Sequence, residues 1–253
     1  MEMGLFSSLS RQPLVLSMDV AAIAEVNWLD LRTILSPAEC IRADAFVHEA
    51  DRRSFIAAHA LLRLSLAAAL GAAPSALGFT ANAYGKPELA GWYAKADLQF
   101  NLSHSRRMVV IGLARGVAIG VDTEISGRMA EADLAAVTRS FAPAERDYLD
   151  RFAGVDRARR SVEMWTLKEA VIKAAGLGLS IPLDSFSVDV GGFSVDGLAG
   201  PWSLAAWTAQ DQYIAAALMG ASSAPRYVRV VITKSAARLR IIEVLGTIFE
   251  GES

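Results

Sequence analysis

A chain of 253 residues, 53% of them hydrophobic, is long enough for one large domain or two of ordinary size, each with its own core. Its net charge of -2 and isoelectric point near 6.0 argue against a general nucleic-acid binder, and a single cysteine, Cys40, excludes an intramolecular disulfide and any cysteine-based metal cluster. No uninterrupted apolar run reaches the roughly 18 to 20 residues of a membrane span, and the start of the chain lacks the pattern of a secretory signal. The expectation is a soluble cytoplasmic monomer with neither nucleic acid nor membrane as a partner.

In chain order, residues 14–18 read as a first strand. Ser36-Pro37-Ala38-Glu39 has the form of a helix start, with a capping serine, proline at the first helical position and an acid that reaches back. The helix it opens is expected to run to His48. A stronger helix is expected over residues 51–70, with Phe55, Leu61, Leu62 and Leu66 as its core stripe and Gly71 as its stop. Residues 77–83 could be a strand, followed by the stiff turn Tyr84-Gly85-Lys86-Pro87. Residues 98–103 alternate, with Phe100 and Leu102 pointing one way and Asn101 and Ser103 the other. Residues 108–114 form an apolar run of the buried-strand kind, which Arg115-Gly116 can turn back into a strand over 117–124. The second half follows a similar plan: a helix over 160–175, a strand over 186–190, a glycine turn, and strands over 202–208 and 213–219.

This pattern predicts an α+β protein of two similar lobes, each an antiparallel sheet backed by a long helix. The lobes are expected at residues 1–121 and 122–221. Residues 222–253, with Arg226, Arg229, Lys234, Arg238 and Arg240, read as a solvated, partly helical appendage. A cleft between two such lobes is the natural place for a ligand.

The helix near residue 170 places Met164, Leu167, Ala170, Val171 and Ala174 on one face, and Glu169 and Lys173 on the other beside Trp165 and Ile172. An i,i+4 Glu–Lys pair on a solvated face is the bland alternative, worth roughly a few tenths of a kcal/mol. Asp122 and Glu124, two apart on a strand, face the same side about 6.6 Å from each other. With Glu169 they make three oxygen ligands of the kind that suits Mg²⁺, whereas the three scattered histidines, His48, His59 and His104, disfavour zinc. Lys168, Lys173 and Lys86, with Asn101, Ser103 and His104 at a strand end, add donors for oxyanions. Such an inventory fits a phosphoanhydride site. No G-x-x-x-x-G-K-[ST], G-x-G-x-x-G or G-x-S-x-G motif occurs, so P-loop, dinucleotide and α/β-hydrolase readings fall away.

Asn101-Leu102-Ser103-His104-Ser105, Gly120-Val121-Asp122-Thr123-Glu124 and Trp165-Thr166-Leu167-Lys168-Glu169-Ala170, with Lys173-Ala174 and Gly176-Leu177-Gly178-Leu179, resemble in order and spacing the 4′-phosphopantetheinyl transferases of the surfactin-synthetase type. Ser36-Pro37, Tyr84-Gly85-Lys86-Pro87, Phe141-Ala142-Pro143-Ala144-Glu145 and Pro182-Leu183-Asp184-Ser185-Phe186 also look like family elements. The resemblance implies a pseudo-twofold pair of lobes and transfer of the phosphopantetheine arm of coenzyme A to a serine of an apo acyl or peptidyl carrier protein. It implies Asp122, Glu124 and Glu169 as Mg²⁺ ligands, and Glu169, or a water near it, as the base that takes the serine proton. Lys173 and Lys168 would neutralise the phosphates, and Lys86, Asn101, Ser103 and His104 would hold the nucleotide end. Arg42 and Arg53 are further candidates for the 3′-phosphate.

Thr123, Glu39 and His59 depart from the family pattern, the last two where relatives carry basic residues. The segment 131–141, with Leu134 and Val137, fits either a carrier-docking surface or a plain amphipathic helix. Two other classes stay open: another Mg²⁺-dependent phosphoanhydride enzyme such as a nucleotide hydrolase, and a catalytically dead binding lobe.

Overall fold

The computed structural model describes residues 12–105, 107–125, 131–191, 193–209, 211–220, 225–233 and 238–245, together with Phe6 and Leu9. It is an α+β protein of mostly antiparallel sheets, as the alternation of patterns predicts. A five-stranded sheet contains β1 (Leu14–Asp19), β4 (Leu98–His104), β5 (Met108–Arg115), β11 (Arg226–Thr233) and β12 (Arg238–Leu245), in the order β12-β11-β1-β5-β4. A three-stranded sheet has β6 (Ala118–Ile125), β9 (Trp202–Ala209) and β10 (Gln212–Met219), with β10 central. Two hairpins, β2 (Gly78–Ala81) with β3 (Pro87–Ala90) and β7 (Ser187–Asp189) with β8 (Ser194–Asp196), complete the strands among the described residues.

Short helices α1 (Trp28–Ile34) and α2 (Pro37–Asp44) lead into α3 (Glu49–Leu70). The Ser36 cap forms both halves of its box, Glu39 N–H to Ser36 Oγ and Ser36 N–H to the Glu39 carboxylate. The helix stops at Asp44, short of the expected His48, and α3 starts afresh at Glu49. By length and composition α3 could cross a membrane, but most of its apolar length is buried inside the fold. Phe55, Leu61, Leu62 and Leu66 lie with Leu14, Leu16, Val109 and Ile111 in the first core.

In the second half, α4 (Glu131–Arg139) and α5 (Pro143–Leu149) precede α6 (Gly154–Ala175). The α4 residue Leu134 is buried, and Val137 packs on the second core, so the apolar face of α4 is turned inward. Met164, Leu167, Ala170, Val171 and Ala174 are all buried. Helices α3 and α6 are each 22 residues long, and each ends on a glycine in the left-handed region, Gly71 at φ 64° and Gly176 at φ 70°.

The appendage expected after residue 221 is instead β11 and β12, with β11 parallel to β1. The arginines disguise a strand whose other positions are Tyr227, Val228, Val230, Val231 and Ile232, β-branched or aromatic residues suited to a buried sheet. Tyr227 is fully buried: it stacks on Trp207 of the second sheet at 5.0 Å between ring centroids, and its hydroxyl meets Ser17 Oγ at 2.7 Å.

Strand β6 lies along the seam between the sheets. Its Val121 N–H donates to Asn101 Oδ1 on β4, so a side chain continues the hydrogen-bonding across the seam. At Gly120 the strand backbone and α6 come into direct contact: a Cβ there would lie 2.0 Å from the Ala170 carbonyl oxygen and 2.3 Å from Ala174 N. Both obstacles are helix backbone and cannot turn aside, so only glycine fits. Gly120→Ala is therefore expected to cost about 3 kcal/mol or more of stability, read as a lowered midpoint in thermal unfolding.

Candidate functional site

The last two turns of α6, the turn between β2 and β3, and strand β4 enclose a pocket of about 290 Å³. Its lining includes Lys86, Asn101, Leu102, Glu169, Ile172 and Lys173. A larger hollow of about 780 Å³ beside β3 carries Glu88, Lys95 and Asp97 but none of the residues expected at the site.

At the pocket wall, Lys173 does not make the local pair with Glu169 that helix geometry allows. Its Nζ crosses to β6 and meets Asp122 Oδ1 at 2.5 Å and Ser103 Oγ at 3.2 Å. Ser103 Oγ also donates to Asp122 Oδ1 at 2.8 Å. Asp122 is 4% exposed, and its other oxygen, Oδ2, is buried without a hydrogen-bond partner. A buried carboxylate oxygen with an unused lone pair is costly unless something fills it.

Glu124, on the same side of β6, has its carboxyl pushed up by burial and by the charges of Asp122 and Glu169, while a hydrogen bond with the Trp165 indole and the charge of Lys173 oppose the rise. Glu169 is pushed up in the same way, by burial and by Asp122, with Lys173 opposing. Asp122, Glu124 and Glu169 thus share one local field. Among the described residues, however, no three acidic, histidine or cysteine side chains already stand close enough to share an ion. The donor set is all hard oxygen, with one buried oxygen unpartnered, and its chemistry fits a divalent cation such as Mg²⁺.

His104 ends β4, and burial together with the nearby charges of His59 and Lys173 pulls it below its ordinary value. The face continues along α3. His59 Nδ1 lies 2.9 Å from Glu39 and its ring sits 4.0 Å from that of Phe55, over which Arg42 is placed at 5.4 Å. Glu39 also accepts from Arg63 at 2.7 Å. The hydrogen bonds of His59, Arg63 and Ser36 outweigh burial and hold its carboxyl down at about 2.

Other residues on the expected list lie elsewhere. Lys168 is fully buried, donating to both oxygens of Glu145 at 2.8 Å and to the Phe186 carbonyl at 2.7 Å. Glu145 in turn accepts from the backbone N–H groups of Ala142 and Val188. Position 168 is on the core side of α6, and the expectation that Lys168 faces phosphate is replaced by a structural pair joining α5, α6 and β7. Arg53 is bonded to Glu25 and Glu49 and lies over Trp28. It serves the packing of α3 on α1. Asn101 lines the pocket, but its carboxamide oxygen is taken by Val121.

Sequence reasoning missed Asn82 and Gln212. Asn82 Oδ1 accepts from the backbone of Tyr84 and Lys86, an Asx turn that Asn two residues before Tyr-Gly could have signalled. Gln212, fully buried on β10, accepts from Ser105 Oγ at 2.7 Å and so ties the end of the Asn-Leu-Ser-His-Ser segment to the other sheet. A glutamine inside a strand carries no such signal.

Comparison with known proteins agrees with this layout. Residues 118–221 match the model of the 4′-phosphopantetheinyl transferase superfamily, and residues 23–115 match that of a 4′-phosphopantetheinyl transferase N-terminal region. A 4′-phosphopantetheinyl transferase of Bacillus subtilis is 35% identical over 143 residues, 56% of this chain and 61% of that protein. The 4′-phosphopantetheinyl transferase HetI of a Nostoc species is 33% identical over 156 residues, 62% of this chain and 65% of that protein. The 4′-phosphopantetheinyl transferase ffp of Bacillus subtilis is 30% identical over 158 residues, 62% of this chain and 67% of that protein. The chain thus spans about three fifths to two thirds of the length of these relatives.

The Lys168–Glu145 pair yields a stability test. Lys168→Met removes the buried cation and leaves the carboxylate with two backbone donors, and is expected to cost roughly 3 kcal/mol in urea denaturation. A lysine whose task was only to meet a ligand would leave the denaturation midpoint unchanged.

Proposed function

Because this chain belongs to the 4′-phosphopantetheinyl transferase superfamily, we propose that it transfers the 4′-phosphopantetheine arm of coenzyme A to a serine hydroxyl of an apo acyl or peptidyl carrier protein. The observation that carries this reading is the junction of Lys173, Ser103 and Asp122, where a lysine ammonium and a carboxylate with one unused buried oxygen meet beside an inter-lobe pocket. Phosphoryl-type transfer asks mainly for positioning and charge neutralisation, and this wall supplies both signs of charge at fixed places.

The serine oxygen forms a bond to the phosphorus that carries the pantetheine arm. The anhydride bond to the other phosphate breaks, and adenosine 3′,5′-bisphosphate leaves with that electron pair. The serine proton goes to Glu169, which lines the pocket, since a serine hydroxyl is a poor nucleophile unaided. Lys173 offers its charge to the phosphate oxygens. Asp122, Glu124 and Glu169 would hold Mg²⁺, which when bound withdraws charge from the anhydride oxygens.

Ser103 and His104 hold the phosphate side of the nucleotide, and the face through His59 to Arg42 extends toward its 3′ end. Lys86 also lines the pocket. We further propose that the enzyme works in the cytoplasm, where coenzyme A and carrier proteins are found, and as a monomer.

Incubation with coenzyme A, Mg²⁺ and an apo carrier protein, followed by mass measurement of the carrier, tests the proposal. The carrier is expected to gain one phosphopantetheine. Asp122→Ala and Glu169→Ala are expected to lower labelling by on the order of 10²-fold or more while the fold persists. Loss of coenzyme A without any gain on fatty-acid, polyketide or peptide carriers would mean hydrolysis instead.

A further inference from the structure

The side chains of the turn between β2 and β3 reach out of the first lobe to the end of the helix that carries Glu169 and Lys173. Lys86 Nζ donates to the Ala174 carbonyl at 3.2 Å and to the Ile119 carbonyl on β6, also at 3.2 Å. Asn82 Nδ2 donates to the Gly176 carbonyl at 2.8 Å. The Ala174 and Gly176 carbonyls are ones a helix leaves open at its C-terminus, and a cation there also complements the helix dipole. The fit is close: a Cβ on Gly176 would lie 3.3 Å from Lys86 Cδ and 3.4 Å from Asn82 Nδ2.

We propose that Asn82 and Lys86 form an inter-lobe clasp on the C-terminus of α6, and that both are positioning residues which hold Glu169 and Lys173 against β6. Asn82 does two tasks in this clasp. Its Oδ1 fixes the turn by accepting from Tyr84 N and Lys86 N, and its Nδ2 fixes the helix. Lys86 then has little freedom to act as a phosphate ligand, because its ammonium is already placed between two carbonyls. Burial pulls that ammonium down to about 8, in keeping with a lysine that is enclosed by the structure. Because Ala174 is adjacent to Lys173 and its amide lies under Gly120, a shift of the helix end moves the Lys173–Asp122 contact directly.

Two single variants separate this role from ligand binding. Lys86→Met keeps the apolar stem and loses the donor. Asn82→Asp keeps both acceptor bonds of the turn and replaces the donor with an oxygen facing Gly176 O. Amide hydrogen exchange over residues 170–180 is expected to speed up by about ten-fold in each variant, with protection elsewhere in α6 kept. Since the two act on the same helix end, misfolding of one variant leaves the other to decide.

The kinetic arm rests on the transferase reading: kcat is expected to fall by about ten-fold in both, with KM for coenzyme A within about three-fold, and the double variant should be no worse than the weaker single. Unchanged exchange in both variants overturns the clasp. So does a rise in KM for Lys86→Met at unchanged kcat with a silent Asn82→Asp, which would make Lys86 a nucleotide ligand. If the wild-type chain labels no carrier, the transferase reading fails while the exchange result still decides the clasp.

Discussion

Lys173 can meet Asp122 because Gly120, two residues earlier on β6, has no side chain and lets the backbone of α6 lie against the strand. Any Cβ at that position would lift Ala170 and Ala174 away, and the lysine between them in sequence would lose its reach. The contact also decides the fate of Glu169, one turn before Lys173 on the same helix, and brings it into the field of Asp122. A steric requirement at one glycine therefore precedes the electrostatics of the pocket. The hydrophobic faces of α6 and β10 supply the driving force that presses the elements together.

Charge alone does not mark a functional residue in this fold. Lys168 and Lys173 are five residues apart on one helix, and the helical angle sends the first into the core and the second to the seam. Lys168 has three oxygen acceptors and no route to solvent, whereas Lys173 is partly exposed beside an unpartnered carboxylate oxygen. Both Arg53 and Arg42 lie over aromatic rings, Trp28 and Phe55, but Arg53 is also held by two glutamates. Burial and the list of partners separate these roles, and neither is visible from residue type.

Much of the architecture was legible because its signals are local. The Ser36 capping box, the helix stop at Gly71, the alternation of Phe100, Asn101, Leu102 and Ser103, and the apolar run of β5 each report on a few neighbouring residues. The strand β11 was hidden because its arginines suggested a solvated tail, and its partner β1 lies about two hundred residues away. At the site, the shared strand face of Asp122 and Glu124 and the helix face of Glu169 and Lys173 followed from periodicity, whereas the contact of Lys173 with Asp122 and Ser103 did not. Nor did the roles of Asn82, Gln212 and Glu145, since each acts through a contact to another sheet or helix that no spacing in the chain reveals.

The proposed transfer requires the Lys173–Asp122–Ser103 junction to be the place where the polyphosphate and its cation meet the protein. A crystal structure with coenzyme A and Mg²⁺ tests this most directly. Density is expected for an ion at Asp122 and for the pyrophosphate within reach of Lys173, with α6 still seated on Gly120. Nucleotide bound away from this junction, with Lys173 still on Asp122 and no ion beside it, would contradict it.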